Sequence, residues 1–312
     1  NTLRKVDLSF YTPADETMFE VISSTSLIRG LSRSKSIQKL SLTSNCPGLT
    51  EPEMIFFVTS EDIHDLLKSV ALEELKIYDL TVVENQMDTQ KEASNTVAPS
   101  QLSPSKLRKL ELHYIEDAGL QVFARVLENY IYSSLENVQI FAARNGDTIA
   151  ILRALHSNNS LKTISLYHGN DGKNPEAVIE QVVTSGYAVS SLESYSLEIQ
   201  PTFSKKSINQ IMSMIVQSTA LRSLSFDSST FSSDSIRSLG NTLSQNPRLS
   251  SLDLTNIHNR NFRNHNHQAM ADHDFETFFA SLATNRNLKS LRIDDNMVSQ
   301  GCIDGLVESL HH

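Results

Sequence analysis

Residues 107–112 read LRKLEL and residues 135–140 read LENVQI, two copies of the phrase L-x-x-L-x-L joined by a stretch of different periodicity. The same phrase, with other apolar residues standing in for leucine, occurs ten times. It begins at residues 3, 37, 72, 107, 135, 161, 192, 221, 249 and 288, so the unit varies between 26 and 39 residues. That spacing is in the range of solenoid repeats. Within each phrase the last two apolar positions flank one polar residue, the period of a strand with one buried face. So short a strand cannot bury that face alone, but stacking it once per repeat creates a parallel sheet with an apolar spine.

The stretches between phrases have helical spacing. Leu120, Phe123, Ala124, Val126 and Leu127 share one side of a helix, as do Ile149, Leu152 and Leu155. Ile208, Ile211, Met212 and Ile215 repeat the pattern, and so do Phe275, Phe278, Phe279 and Leu282. Asn174-Pro175-Glu176 supplies a cap, a first-turn proline and a carboxylate near the positive helix end. Thr12 with Asp15 and Ser207 with Gln210 read as capping boxes. Ser60 before Glu61-Asp62 and Ser233 before Asp234 read as helix starts too. Each unit is strand, turn, helix and return, an α/β arrangement.

On these ten phrases the chain resembles a leucine-rich repeat protein of the ribonuclease-inhibitor-like class, from Leu3 to Leu310. The resemblance implies a horseshoe with strands on the concave face and helices on the convex face. Asn45, Asn256 and Asn296 stand near the asparagine position of the longer consensus, and other repeats depart from it. The unbroken period predicts one domain over residues 1–312. Two irregular loops are expected, at residues 78–105, rich in Ser, Thr, Asn and Pro, and at residues 258–274.

Composition narrows the function. No apolar run approaches the roughly twenty residues of a membrane span. A net charge of −9, with no basic stripe, argues against a nucleic-acid partner. Cys46 and Cys302 lie in the second and tenth repeats, too far apart in a stacked array to pair, so a reducing, cytoplasmic location is expected. His258, His265, His267 and His273 beside Asp272 and Asp274 have the side chains of a metal site without its regular spacing. They read more simply as a solvated loop, and no metal or other cofactor is expected. Nucleophile-elbow, zinc-protease and phosphate-loop motifs do not occur, so no enzyme activity is expected.

Phrase positions three and five, and the two residues after each phrase, point away from the spine. Position three runs Lys5, Lys39, Glu74, Lys109, Asn137, Thr163, Ser194, Ser223, Ser251, Ser290. Position five runs Asp7, Ser41, Lys76, Glu111, Gln139, Ser165, Ser196, Ser225, Asp253, Arg292. Beyond the phrases stand Tyr78, His113, Tyr114, Phe141, Tyr167 and His168 in repeats three to six, then Glu198 and Asp227. The aromatic cluster has the composition of an interface anchor, or else its rings fold over and seal the strand ends. The acidic residues favour a basic partner.

Ten strands span ~45 Å, enough for the ~800 Å² per side of an ordinary protein interface. A protein-recognition module or scaffold is therefore the leading expectation. An alternative drawn from the resemblance is a GTPase activator, with Asn45, Asn170, Asn256 and Asn296 in loops after strands. A second alternative is the ligand-sensing region of a larger receptor. Uncapped solenoid ends leave core edge exposed, so either more chain or self-association is expected.

Overall fold

A computed structural model describes residues 3–11, 25–45, 57–79, 81–83, 105–115, 117–129, 134–142, 148–155, 158–168, 191–199, 202–203, 205–218, 220–227, 229–245, 248–255, 257, 272–294 and 300–310. They fall into two compact units, Asn1–Leu161 and Lys162–His312, each described by itself.

The first unit contains β1 (Lys5–Tyr11), α1 (Thr25–Ser32), β2 (Lys39–Asn45), β3 (Phe57–Thr59), α2 (Ser60–Leu67) and β4 (Glu74–Tyr78). It continues with β5 (Thr81–Val83), β6 (Lys109–His113), α3 (Asp117–Asn129), β7 (Asn137–Ala142) and α4 (Thr148–Ala154). Strands β1, β2, β4, β6 and β7 are neighbours in that order, all parallel. The register matches phrase to phrase: Lys39 pairs with Lys5 and Glu74, and Lys109 with Glu74 and Asn137. The second unit has β8 (Thr163–His168), β9 (Ser194–Ile199), β10 (Thr202–Phe203), α5 (Lys205–Gln217), β11 (Ser223–Ser225), β12 (Thr230–Phe231) and α6 (Ser233–Gln245). After these come β13 (Ser251–Asp253), α7 (Asp272–Leu282), β14 (Ser290–Arg292) and α8 (Gln300–Leu310). Its parallel order is β8-β9-β11-β13-β14, in the same register. Parallel strands linked through helices on this period fit a leucine-rich repeat fold.

One backbone rung recurs at each of these junctions. The carbonyl of phrase position two accepts amides from positions two and three of the next phrase. Arg4 O takes Gln38 N and Lys39 N at 2.8 and 3.0 Å; Ser250 O takes Lys289 N and Ser290 N at the same distances. Phrase positions one, four and six form the spine. Leu107, Leu110 and Leu112 are buried in the first unit, and Leu249, Leu252 and Leu254 in the second. Each such side chain contributes about 1.5–3 kcal/mol. At the outer strands the cover thins: Val6, Leu8 and Leu291 are only half-buried.

Helices α3, α5 and α7 bury the expected stripes at Phe123, Leu127, Ile208, Ile211, Phe278 and Phe279. Ile149 and Ile215 fall within helices, but their side chains lie outside the described residues. Two helix starts sit one residue earlier than expected. Thr59, not Ser60, is the N-cap of α2: its side chain accepts from Asp62 N, and Asp62 accepts from Thr59 N. Ser232, not Ser233, accepts the Ser235 amide at 3.2 Å. A capping oxygen must precede the first helical residue to reach an amide of that turn. Ser207 lies inside α5 rather than before it. The Asn174 and Thr12 starts lie outside the described residues.

The stretch expected to be irregular from Tyr78 to Ser105 holds a strand: β5 pairs in parallel with β3 and buries Val82. A second two-stranded pair, β10 with β12, occurs in the other unit. A turn before the phrases was not foreseen. Ser34, Asn158, Ser218 and Asn285, three residues ahead of their phrases, each accept the amide of the first phrase residue. These are side-chain-mimicked turns, which fix where the strand begins.

Two helical glycines should respond oppositely to alanine. At Gly119 a Cβ would stand 2.6 Å from Ile115 Cγ2 and 2.9 Å from Val82 Cγ2, so α3 lies too close to β5 for a methyl group. Overpacking costs about 1–3 kcal/mol, more than the ~1 kcal/mol gained in helix propensity. At Gly30 nothing lies within 4 Å. Denaturant titration should show Gly119→Ala less stable than the parent and Gly30→Ala more stable, by up to ~1 kcal/mol.

Candidate functional site

In the first unit the parallel register brings positions three, five and seven of successive phrases side by side. Position seven carries Ser9, Thr43, Tyr78, His113 and Phe141. His113 is sandwiched: its ring centroid lies 4.1 Å from that of Tyr78, at 20°, and 4.1 Å from that of Phe141, at 11°. Strands ~4.8 Å apart set planar side chains at stacking distance when three occur in a row. Tyr78 and Phe141 are half-buried as a result. Tyr78, His113 and Phe141 thus cover one another, while Tyr114 stands out at 52% exposure.

Tyr114 also has an unusual backbone. Its φ is 56°, and Asp79, at the same place in the preceding repeat, has φ 53°. For a bulky L-residue the left-handed region costs roughly 1–2 kcal/mol. The conformation survives because Tyr114 N donates to Phe141 O at 2.7 Å, extending the ladder by one bond, and Asp79 N does the same to His113 O at 2.8 Å. Ile115 then turns into the core, which leaves the Tyr114 ring outside.

Beneath the stack, position five supplies a shared carboxylate. Glu111 is 3% exposed, with Lys76 Nζ at 2.8 Å across the ladder and Lys109 Nζ bonded from its own strand. Burial pushes the Glu111 carboxyl up, but the Lys109 and Lys76 ammonium groups overcome it and hold the pKa below its ordinary value. The hydrogen bond to Glu111 raises the Lys76 pKa in turn. Lys39 pairs with Glu74 at 2.5 Å and Lys5 with Asp7 at 2.8 Å, so this face carries alternating, mutually neutralised charge.

His113 Nε2 is buried without a hydrogen-bond partner among the described residues, 3.9 Å from Glu111 Oε2. Burial lowers the His113 pKa; Glu111 pulls it back up and Lys76 pushes it down. The neutral imidazole is therefore the form the stack holds.

The second unit has a different surface. Tyr167 pairs with Glu198 and His168 with Ile199 across β8 and β9, with the His168 side chain outside the described residues. Thr163, Ser194, Ser223, Ser251 and Ser290 form one row, and Ser165, Ser196 and Ser225 lead to Asp253 and Arg292 in the other. Arg292 Nε holds Asp294 at 2.7 Å and its Nη1 stands 3.9 Å from Asp253. Asp253 Oδ1 accepts from Thr255 N and Oγ1. Half-buried Asp227 sits in the turn after β11. Behind this face the Tyr195 hydroxyl, in a leucine position, is fully buried without a partner among the described residues.

Of the histidines considered for metal, His258, His265 and His267 lie outside the described residues; His273 is in α7, its side chain undescribed. Among the described residues no group of three potential ligands forms. No described helix is long and apolar enough to cross a membrane. Asn170, Asn256, Asn296 and Cys46 are not described; Asn45 ends β2 and Cys302 lies in α8.

No protein-family model and no curated protein matches this sequence. Among solved structures, the chain is similar to leiomodin-1 actin-binding site 2. The identity is 15% and the TM-score 0.40, over 51% of this chain and 85% of that one.

Because the folded chain keeps His113 neutral while the unfolded chain protonates it near pH 6.5, its contribution to stability is present above that pH. It falls as pH drops toward the lowered folded pKa. His64, with its pKa likewise lowered by burial, adds to the same trend. His113→Phe keeps a ring in the sandwich and removes the unpartnered nitrogen. Denaturant titrations at pH 7 and pH 5 should show a smaller acid loss for His113→Phe than for the parent, with no loss at pH 7.

Proposed function

We propose that this chain is a non-catalytic protein-recognition module of the ribonuclease-inhibitor-like leucine-rich repeat type, working in the cytoplasm. Its partner contacts the open face of the first unit's parallel sheet. The observation that carries the reading is Tyr114: a large ring, over half exposed, on a backbone held at positive φ by a ladder hydrogen bond. Strain retained at an exposed aromatic residue is characteristic of binding sites. A tyrosine side chain has only two torsions to order, so it supplies contact area at low entropy cost on binding.

The stacked Tyr78, His113 and Phe141 rings, which end one residue before Tyr114 on β6, add a half-covered apolar surface on the same strands. Around it lie lysine–carboxylate pairs satisfied within the chain, which a partner need not neutralise. An apolar centre with a polar surround is the usual anatomy of an interface hot spot. The strand–helix unit of 26 to 39 residues supports the subclass, and the use of only two cysteines supports a reducing location.

Tyr114→Ala should weaken the captured partner's affinity at least tenfold, about 1.4 kcal/mol, while thermal melting stays unchanged, because alanine keeps the Cβ on the positive-φ backbone and removes only an exposed ring. The partner recovered by affinity purification on the parent chain is titrated against both proteins. Equal affinity for parent and Tyr114→Ala would remove the anchor and this reading with it.

A further inference from the structure

The spine is well covered inside each unit and poorly covered at β1 of the first unit and β14 of the second. Six large apolar residues are exposed among those described, and four of them belong to the first and last repeats. Leu3 is 64% exposed at phrase position one, where Leu107 and Leu249 are buried, and Leu27 of α1 is 41% exposed. In the last repeat Ile303 and Val307 are 42% and 46% exposed, one turn apart on α8.

The backbone edges are complementary as well. Strand β1 begins the first unit's parallel order and β14 ends the second's. In every described junction the earlier phrase offers a position-two carbonyl and the later phrase offers two amides. The outer edge of β14 therefore presents the Lys289 carbonyl. The outer edge of β1 presents the Arg4 and Lys5 amides, the two groups that such a rung requires.

We propose that this chain binds a second copy of itself head to tail, with the β14 edge of one copy adding to the β1 edge of the next. The register common to all the junctions would set Ser290 beside Lys5, Leu291 beside Val6, and Arg292 beside Asp7. That last pair carries the charge complementarity, although each member also has a partner on its own strand or in the turn after it, Asp7 with Lys5 and Arg292 with Asp294. Within one copy Arg292 already faces Asp253 at 3.9 Å across the ladder, and Asp7 would bring a carboxylate to its other side. Lys76 and Glu111 form the same cross-strand pair at 2.8 Å at position five inside the first unit. Helices that follow neighbouring strands pack on each other, as α1 does on α2 and α7 on α8. The α8 residues Ile303 and Val307 of one copy would accordingly meet Leu27 of the next. Such an interface uses two different surfaces, so it extends into open chains unless the rotation happens to close a ring.

Sedimentation velocity of the 312-residue chain, over about a hundredfold range of micromolar concentrations, tests the proposal. The expected result is a mass that climbs through multiples of 34.8 kDa. Arg292→Glu and Asp7→Arg should each weaken association about fivefold, and the double reversal should associate more tightly than either single one. Ile303→Asp should weaken it too, and circular dichroism melts confirm that each variant is folded. A chain that stays monomeric overturns the proposal, as it would if these edges were covered by a different protein segment. Association unaffected by both Arg292→Glu and Ile303→Asp overturns it as well, because the contact then lies elsewhere. A double reversal no better than the single ones does the same.

Discussion

In-register parallel pairing of one L-x-x-L-x-L phrase with the next is the constraint on which everything else here depends. A strand of three residues, such as Ser223–Ser225 or Ser251–Asp253, has too few backbone bonds to persist alone. It persists because the paired amides at its start and the burial of Leu224 and Leu252 arrive together. Slipping the register by one residue would turn the whole apolar row outward. Once that row is fixed, each residue of positions three, five and seven has a determined neighbour on either side. The surface chemistry then becomes a property of rows rather than of local sequence.

That geometry explains how Tyr78, His113 and Phe141 come together although 35 and 28 residues separate them in turn. No local feature of any one repeat holds the stack. It exists because three planar side chains occupy one row at the strand spacing. The same logic makes Glu111 a shared ligand for two lysines and leaves Tyr195 with an unpartnered hydroxyl in a leucine row. In the first case the row supplies compensation for burial. In the second, the described residues show none.

Much of this was legible from the sequence, for identifiable reasons. The phrase spacing marked the ten strands, and helical apolar periods marked α3, α4, α5 and α7, because burial imposes both patterns directly. Helix starts were off by one at Thr59 and Ser232, where adjacent Thr-Ser and Ser-Ser pairs offer two capping oxygens and only backbone geometry chooses. The strand at Thr81–Val83 was hidden because its partner, Phe57–Thr59, belongs to the previous repeat and its three residues are too few to show a period. The turn residues Ser34, Asn158, Ser218 and Asn285 were readable in principle, three places before the phrase, but Ser and Asn are abundant throughout this chain. Nothing in the local sequence announces a positive φ at Tyr114, since tyrosine is a residue that avoids it. Only the ladder bond to the next strand makes it tenable.

The two open faces differ in what they could contribute to recognition. On the first unit Lys5, Lys39, Lys76 and Lys109 already have carboxylate partners, so steering a charged molecule would first require breaking an existing pair. Exposed pairs are worth little, about 0–1 kcal/mol, but the Glu111 arrangement is buried and would resist rearrangement. Affinity on that face must then come from rings and shape. The second unit's serine rows offer neither rings nor a fixed charge until Asp253 and Arg292, whose pairing gives its far edge a directional character. The proposed recognition face and the proposed assembly edge thus draw on one repeat, because the row that sets a residue's neighbours inside the sheet also sets what its last strand shows to the outside.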